Sequence, residues 1–256
     1  MPSLITRTDP LIIAPEALHA VLGRPDLPVL IDVTLDEDVD ADPHLIPGAF
    51  RHPHREIAAL SDRLRDRRVV AICQKGRKLS QGAAALLRRQ GVEAYALEGG
   101  NVAWRDAGRP RVRIEALPDR DATGRTNWVA AETLDRLGYA AAWLIRRFVD
   151  PRAAVLFVET AEVDAVAERF AAKALLPSVR DGRVLTALLE RLGLADDRLA
   201  RFVARLEDDG DGPAVRGLFA ALPVLHAGAE PRLEAALALC DLLYAASRTG
   251  LERDAA

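Results

Sequence analysis

The sequence predicts an α/β fold in its first half, a parallel sheet flanked by helices, followed by a mostly α-helical second domain with one or a few strands. Three observations lead there. Short apolar runs alternate with stretches of helical period up to about residue 112. A polar stretch bearing proline and glycine interrupts that alternation. Beyond Trp128 the apolar residues recur mostly at i, i+3, i+4 spacing.

In chain order, "LIIA" (11–14) is a short apolar strand, and "PEALHAVLG" (15–23) is a helix that opens on proline and stops on glycine. "PVLIDV" (28–33) is a β-branched run of buried-strand length, and "HREIAALSDRLR" (54–65) has helical spacing. "VVAIC" (69–73) is the next strand, "LSQGAAALLRRQG" (79–91) the next helix and "EAYALEGG" (93–100) a strand ending in a turn. "NVAWRDAG" (101–108) closes this half as a short helix. Strand and helix in alternation argue for a parallel sheet covered on both faces, with ligands at the carboxyl ends of its strands.

The segment 108–127 contains Pro110, Pro118 and Gly124 and little periodicity. The domain boundary is placed there: residues 1–112 as the first domain, 113–127 as a linker and 128–256 as the second domain. In the second half "AAETLDRLGYAAAWLIRRFVD" (130–150) and "LEAALALCDLLYAASR" (233–248) are predicted as long helices, with "AAVLFVET" (153–160) the one good strand candidate. "VDAVAERFAAKAL" (163–175), "VLTALLERLGL" (184–194) and "DDRLARFVARLEDD" (196–209) each have an apolar helical stripe.

Of the 256 residues, half are apolar and 29% charged, and the net charge is −3, which excludes disorder and gives no basic footprint for nucleic acid. Cys73 and Cys240 are too few and too far apart for a disulfide framework or a zinc motif. The first residues lack the pattern of a signal peptide, and no apolar run approaches a membrane span. A cytoplasmic protein with reduced thiols is the expectation.

Chemistry concentrates at "VVAICQKGRKLSQG" (69–82), where a strand ends on Cys73, a short basic loop follows, and a helix begins. Such a loop is an anion cradle, because backbone N–H groups converge and the helix N-terminus adds positive potential. Gly76 permits a tight turn, and Lys75, Arg77 and Lys78 add charge. The cradle is expected to favour a thiolate on Cys73, against the plain alternative of a small buried hydrophobe. Phosphate-ester chemistry on cysteine places an arginine six positions later to clamp the phosphoryl oxygens; here that position is Leu79. The shorter loop fits a single sulfur held as a persulfide.

"LIDV" (30–33) with Asp32, "HLIPGAF" (44–50), "CQKGRK" (73–78) and "LEGGNVAWRDAGRP" (97–110), in that order and spacing, resemble the rhodanese (sulfurtransferase) family over residues 9–112. The resemblance implies a rhodanese-like parallel sheet. It also implies that Cys73 accepts sulfane sulfur from a donor such as thiosulfate and passes it to a thiophilic acceptor. The backbone amides of Gln74, Lys75, Gly76, Arg77 and Lys78 would surround the persulfide. The implied partners are a small sulfur-containing anion and a protein sulfur acceptor; no cofactor is implied. The sequence departs from the family at Thr34, where an arginine often ties nearby loops. "DEDVDAD" (36–42) is expected to be a solvated acidic loop. Ala41 stands where a calcium loop needs glycine. His52 and His54, with His44 nearby, show no third metal ligand.

Trp128 and Trp143, "WLIRRFVDP" (143–151), "VLFVETAEV" (155–163) and "CDLLYAASR" (240–248) resemble the C-terminal domain of the chromate resistance protein B family, over about 128–248. Rhodanese domains are also found fused to this domain. The family implies a redox- or metal-responsive function, but this copy is degenerate. Ala141 and Ala142 stand where the family has cysteine-proline, and "SVRDGRVLTA" (178–187) lacks histidine, cysteine and glutamate. No metal or chromate site is therefore expected. Of Arg146 and Arg147, one is expected to face solvent and one to pair with an acid. "EDDGDGP" (207–213) reads as a turn between helices, because Leu218 replaces the bidentate glutamate of a calcium loop. Cys240 reads as core. Two functions remain: a sulfurtransferase acting through Cys73, or a non-catalytic oxyanion- or redox-responsive regulator of the chromate-resistance type.

Overall fold

A computed structural model describes residues 11–121, 124–177, 182–208, 210 and 212–249. The chain forms two compact units, with the main division between Ile114 and Glu115.

The first unit runs β1 (Ile12–Ile13), α1 (Pro15–His19), β2 (Val29–Asp32), α2 (Asp36–Ala41), β3 (His44–Leu45) and β4 (Ala49–Arg51). A 3-10 helix follows over His54–Leu64, where the spacing predicts an α-helix. Then come β5 (Arg68–Ile72), α3 (Lys78–Arg89), β6 (Glu93–Leu97), α4 (Gly100–Asp106) and β7 (Val112–Arg113). The main sheet has the order β1-β6-β5-β2-β4 and is parallel throughout. Its central strand β5 is buried on both faces: Val69, Val70, Ala71 and Ile72 are all fully inaccessible. That is why the strand reads as an unbroken apolar run. α3 packs on it through Ser80, Ala83, Ala84 and Leu87, one stripe at helical spacing.

The acidic stretch expected to be a loop is mostly helix α2. Asp36, Glu37 and Asp38 occupy its first turn, where negative charge meets the positive end of the helix dipole, and Val39 anchors it in the core. The "HLIPGAF" element pairs as strand β3 with β7, antiparallel, and His44 Nδ1 lies 2.8 Å from Asp42. Arg111 also bonds both oxygens of Asp42. Trp104 is fully buried, donates its indole N–H to the Pro110 carbonyl at 2.8 Å and has the His19 ring on its edge. The late Trp and Gly-x-Pro signature is thus a packed plug.

The second unit begins with β8 (Asn127–Ala131) and α5 (Arg136–Leu144); a π-type turn (Ile145–Val149), of which Arg147–Val149 are grouped with the first unit, precedes β9 (Ala154–Val158). It continues with α6 (Val163–Arg169), β10 (Lys173–Ala174), α7 (Val184–Leu192), α8 (Asp197–Glu207), α9 (Gly212–Leu225) and α10 (Ala229–Thr249). The strands form a parallel sheet of order β10-β8-β9. Two of them, β8 and β10, lie in stretches expected to be helical. "NWVAA" carries too few residues to show a period of its own beside the long helical pattern that follows. Asp135 and Asp196 cap α5 and α8 by accepting from Gly138 N and Leu199 N, both at 2.8 Å.

Two sequestered carboxylates hold this unit. Asp150 is 3% exposed; its Oδ2 accepts from Arg120, Thr126 N and Thr126 Oγ1, and its Oδ1 from Arg152 N. Trp128 Nε1 donates to the same threonine hydroxyl. Glu207, at the end of α8, accepts from the amides of Leu185 and Thr186 and from the Thr186 hydroxyl, and so caps the N-terminus of α7. Asp209 and Asp211 of the "EDDGDGP" stretch lie outside the described residues.

Asp150→Ala is expected to cost about 2–4 kcal/mol, because it leaves Arg120 and the Thr126 amide without their buried acceptor. Urea unfolding of the full chain followed by tryptophan emission measures this. A loss below about 0.5 kcal/mol would contradict the account.

Candidate active site

Cys73 stands one residue past the end of β5, at the carboxyl edge of the parallel sheet where such folds place their ligands. It is 4% exposed. Its Sγ lies 3.2 Å from Ser80 Oγ, a fully buried hydroxyl in the first turn of α3. The loop between them is clamped from outside. Asn101 N donates to the Cys73 carbonyl at 3.1 Å, and Val102 N to the Gln74 carbonyl at 3.0 Å.

The clamp needs glycine. Gly76 has φ +62°, and a Cβ there would lie 2.4 Å from the Leu97 carbonyl oxygen and 2.6 Å from Gly99 N. Gly100 has φ +58°, and a Cβ there would lie 1.9 Å from the Cys73 carbonyl oxygen. No side chain fits such gaps, so the Gly-Gly turn after β6 and the glycine of the cysteine loop are two halves of one contact.

Beside the loop, Asp32 closes β2 and is 1% exposed. Its Oδ1 accepts from Thr34 N and its Oδ2 from Asn101 Nδ2, both at 2.8 Å. Asn101 Nδ2 also lies 3.1 Å from Thr34 Oγ1. Burial pushes the Asp32 carboxyl above the usual carboxylate range, and the Thr34 and Asn101 hydrogen bonds oppose it. The loop-tying arginine missing at position 34 has a substitute in Arg51, which reaches the Thr34 carbonyl and the Asp36 carboxylate. His52 N donates to the Asp32 carbonyl at 2.9 Å, so the histidine stretch serves the sheet.

Of the residues singled out in the sequence, Cys73 and Gly76 are buried, Gln74 is half-buried, and Lys75, Arg77 and Lys78 are exposed. Gln74 lines a small cavity of about 40 Å³ with Thr34, Asp42, His44, Asn101 and Arg105, room for one or two waters. Burial works against charge on Asp42, but the His44 hydrogen bond and Arg111 hold its carboxyl below the usual range. Ser80 and Asn101 escape a reading of the sequence. Ser80 lies past the basic run, and Asn101 follows the Gly-Gly pair; a polar residue in an otherwise apolar helix face is the available signal for Ser80. Among the described residues, no three of His, Cys, Asp and Glu gather as a metal site.

In the second unit, an open cavity of about 450 Å³ sits at the carboxyl ends of β8 and β10. Its walls include Val129, Leu134, Val163 and Leu175, and its polar rim Asp135 and Asp164. Among the described residues, the lining holds no basic side chain. Arg146 is engaged by the Ala153 carbonyl, Glu230 and Glu234. Cys240 is fully buried in α10. Residues 178–181 of the stretch read as lacking ligands lie outside the described residues. Among the described residues no helix is long and apolar enough to cross a membrane.

Residues 14–107 match the rhodanese-like domain family, and residues 128–247 match the family described as ChrB, C-terminal domain. The chain therefore carries a rhodanese-like domain followed by a ChrB C-terminal domain. A rhodanese homologue from the extremely thermophilic bacterium Thermus thermophilus is 34% identical over 34% of this chain and 92% of its own, with a TM-score of 0.28. A rhodanese-like domain protein from Staphylococcus aureus is 24% identical over 36% of this chain and 89% of its own, with a TM-score of 0.33. A protein of unknown function from Rhodopseudomonas palustris, described as a possible tyrosine phosphatase, is 24% identical over 42% of this chain and 96% of its own, with a TM-score of 0.33. No curated protein matches the chain.

Gly100→Ala is expected to destabilise the chain by more than about 2 kcal/mol, since it combines a positive φ with a backbone clash. Thermal unfolding measures it, with Gly108→Ala, where a Cβ meets open space, as the control for φ alone.

The raised Asp32 carboxyl fixes the sign of a pH effect. Between its unfolded pKa of about 3.9 and its higher folded value, the folded chain binds more protons. Its contribution is therefore present in acid and falls as pH rises through that window. Asp32→Asn removes the ionisation, so the wild-type stability advantage over this variant should shrink as pH rises from about 4. Parallel urea-stability profiles for the two proteins would sink this assignment.

Proposed function

We propose that the first unit is a sulfurtransferase that carries sulfane sulfur as a persulfide on Cys73. One observation carries this reading: Cys73 opens a five-residue loop, pinned by the Gly76–Gly100 contact, between a buried parallel strand and the N-terminus of a twelve-residue helix. Exposed Lys75, Arg77 and Lys78 surround that loop and attract an anionic donor.

With thiosulfate as donor, the Cys73 thiolate attacks the outer sulfur, the S–S bond breaks, and its electron pair leaves with sulfite. Cys73 then holds a persulfide anion. A thiophilic acceptor attacks the outer sulfur, and the Cys73 thiolate departs with the electron pair. Backbone amides of Gln74 to Lys78 and the α3 dipole stabilise the anionic sulfur in both steps. The position six residues after Cys73, where phosphate-ester chemistry places its clamping arginine, is Leu79, partly buried against the core, which argues against phosphatase chemistry. The donor in the cell is a sulfur-containing anion and the acceptor a thiol or protein thiolate.

Incubation with thiosulfate followed by intact mass spectrometry should add one sulfur atom to wild type and none to Cys73→Ser. Cyanide should then release thiocyanate. Sulfur addition at neither protein, or equally at both, would overturn the reading and leave a non-catalytic domain.

A further inference from the structure

The immediate partner of the reactive sulfur is neither a backbone amide nor a cation but the Ser80 hydroxyl, and its surroundings allow it to turn. Ser80 Oγ lies 3.2 Å from Cys73 Sγ and 3.3 Å from the Arg77 carbonyl oxygen. With Cys73 as a thiol, the S–H donates to Ser80, and the Ser80 O–H donates to Arg77. An anionic sulfur has no proton to give. The hydroxyl hydrogen can then rotate about the Cβ–Oγ bond and point at sulfur while the oxygen stays in place. The Arg77 carbonyl is not orphaned by that rotation, because Gln81 N also donates to it, at 2.9 Å. Ser80 is fully buried and Cys73 nearly so, and a charge-assisted hydrogen bond is strongest where water does not compete. Lys75, Arg77 and Lys78 are exposed.

We propose that Ser80 is a catalytic residue whose hydroxyl turns from the Arg77 carbonyl to Cys73 Sγ whenever that sulfur is anionic, and so stabilises Cys73 as the leaving thiolate when the persulfide is discharged. The proposal rests on the sulfurtransferase reading for its catalytic part. In the persulfide the charge sits on the outer sulfur. As the acceptor's lone pair bonds to that outer sulfur, the S–S bond breaks and its electron pair collects on Sγ, beside the Ser80 O–H. The hydroxyl thus acts on charge that develops during discharge. In the first half-reaction it acts on the starting thiolate, where stabilisation raises the thiolate fraction and lowers its nucleophilicity together. Its loss is therefore felt mainly in discharge.

Two measurements on the full chain test this with Ser80→Ala and Ser80→Thr. The first is thiolate absorbance near 240 nm against pH, with Cys73→Ser subtracted. It needs no sulfur donor and no access for a reagent. Ser80→Ala should move the titration up by about one pH unit, and Ser80→Thr should restore it. The second is single-turnover discharge of preformed persulfide by cyanide, which Ser80→Ala should slow about tenfold with less effect on loading from thiosulfate. A role in packing alone would leave the titration unmoved. An unshifted titration in Ser80→Ala, or equal loss in loading and discharge, overturns the proposal. Absence of any persulfide in wild type would instead overturn the sulfurtransferase reading, and the titration would still decide the role of Ser80.

Discussion

The contact between the turn at Gly99–Gly100 and the loop at Cys73–Gly76 is the constraint on which the first unit depends. Backbone meets backbone there at distances that leave no room for a single methyl group. The main chain of Asn101 and Val102 is bonded to the carbonyls of Cys73 and Gln74. A cysteine loop that followed its strand freely would sample many conformations, and a sulfur anion would find its donors scattered. Pinning two carbonyls from outside orders the loop before any ligand arrives, which is how a preorganised site lowers the cost of holding charge.

Asn101 links that clamp to the sheet. Its amide N–H holds the cysteine loop, and its side chain holds Asp32 and Thr34 at the end of β2. Displacement of β2 relative to β5 would therefore reach the loop through one residue. The second unit uses a comparable device. Asp150 and Glu207 each gather several backbone and hydroxyl donors at a place where the chain would otherwise leave them unsatisfied. In both units a sequestered carboxylate or amide does what regular secondary structure cannot, which is to satisfy donors where strands and helices end.

Much of the first unit is legible in the sequence because its strands are buried on both faces and its helices on one. Parallel strands such as β5 read as unbroken apolar runs, and α3 reads as a stripe. The helix α2 reads as a loop, because acidity signals solvation but equally suits a helix N-terminus. β8 and β10 are hidden for another reason. Their few residues adjoin or sit inside long helical patterns, and only the pairing of β8 with β9 and β10 separates them.

Residue order alone locates the candidate cysteine, Cys73, the glycine-bearing basic loop that follows it, and a rhodanese-like half ahead of a ChrB-like half. Each of those is carried by residue types at short spacing, and short spacing is what a linear string preserves. What touches the sulfur and what holds the loop emerge from packing. Ser80 reaches Cys73 because a helical turn brings it back over the loop, and Gly100 reaches Gly76 because β5 and β6 lie side by side. Both depend on the direction in which chain elements pack, and that direction is set by the burial of the whole sheet rather than by any local run of residues.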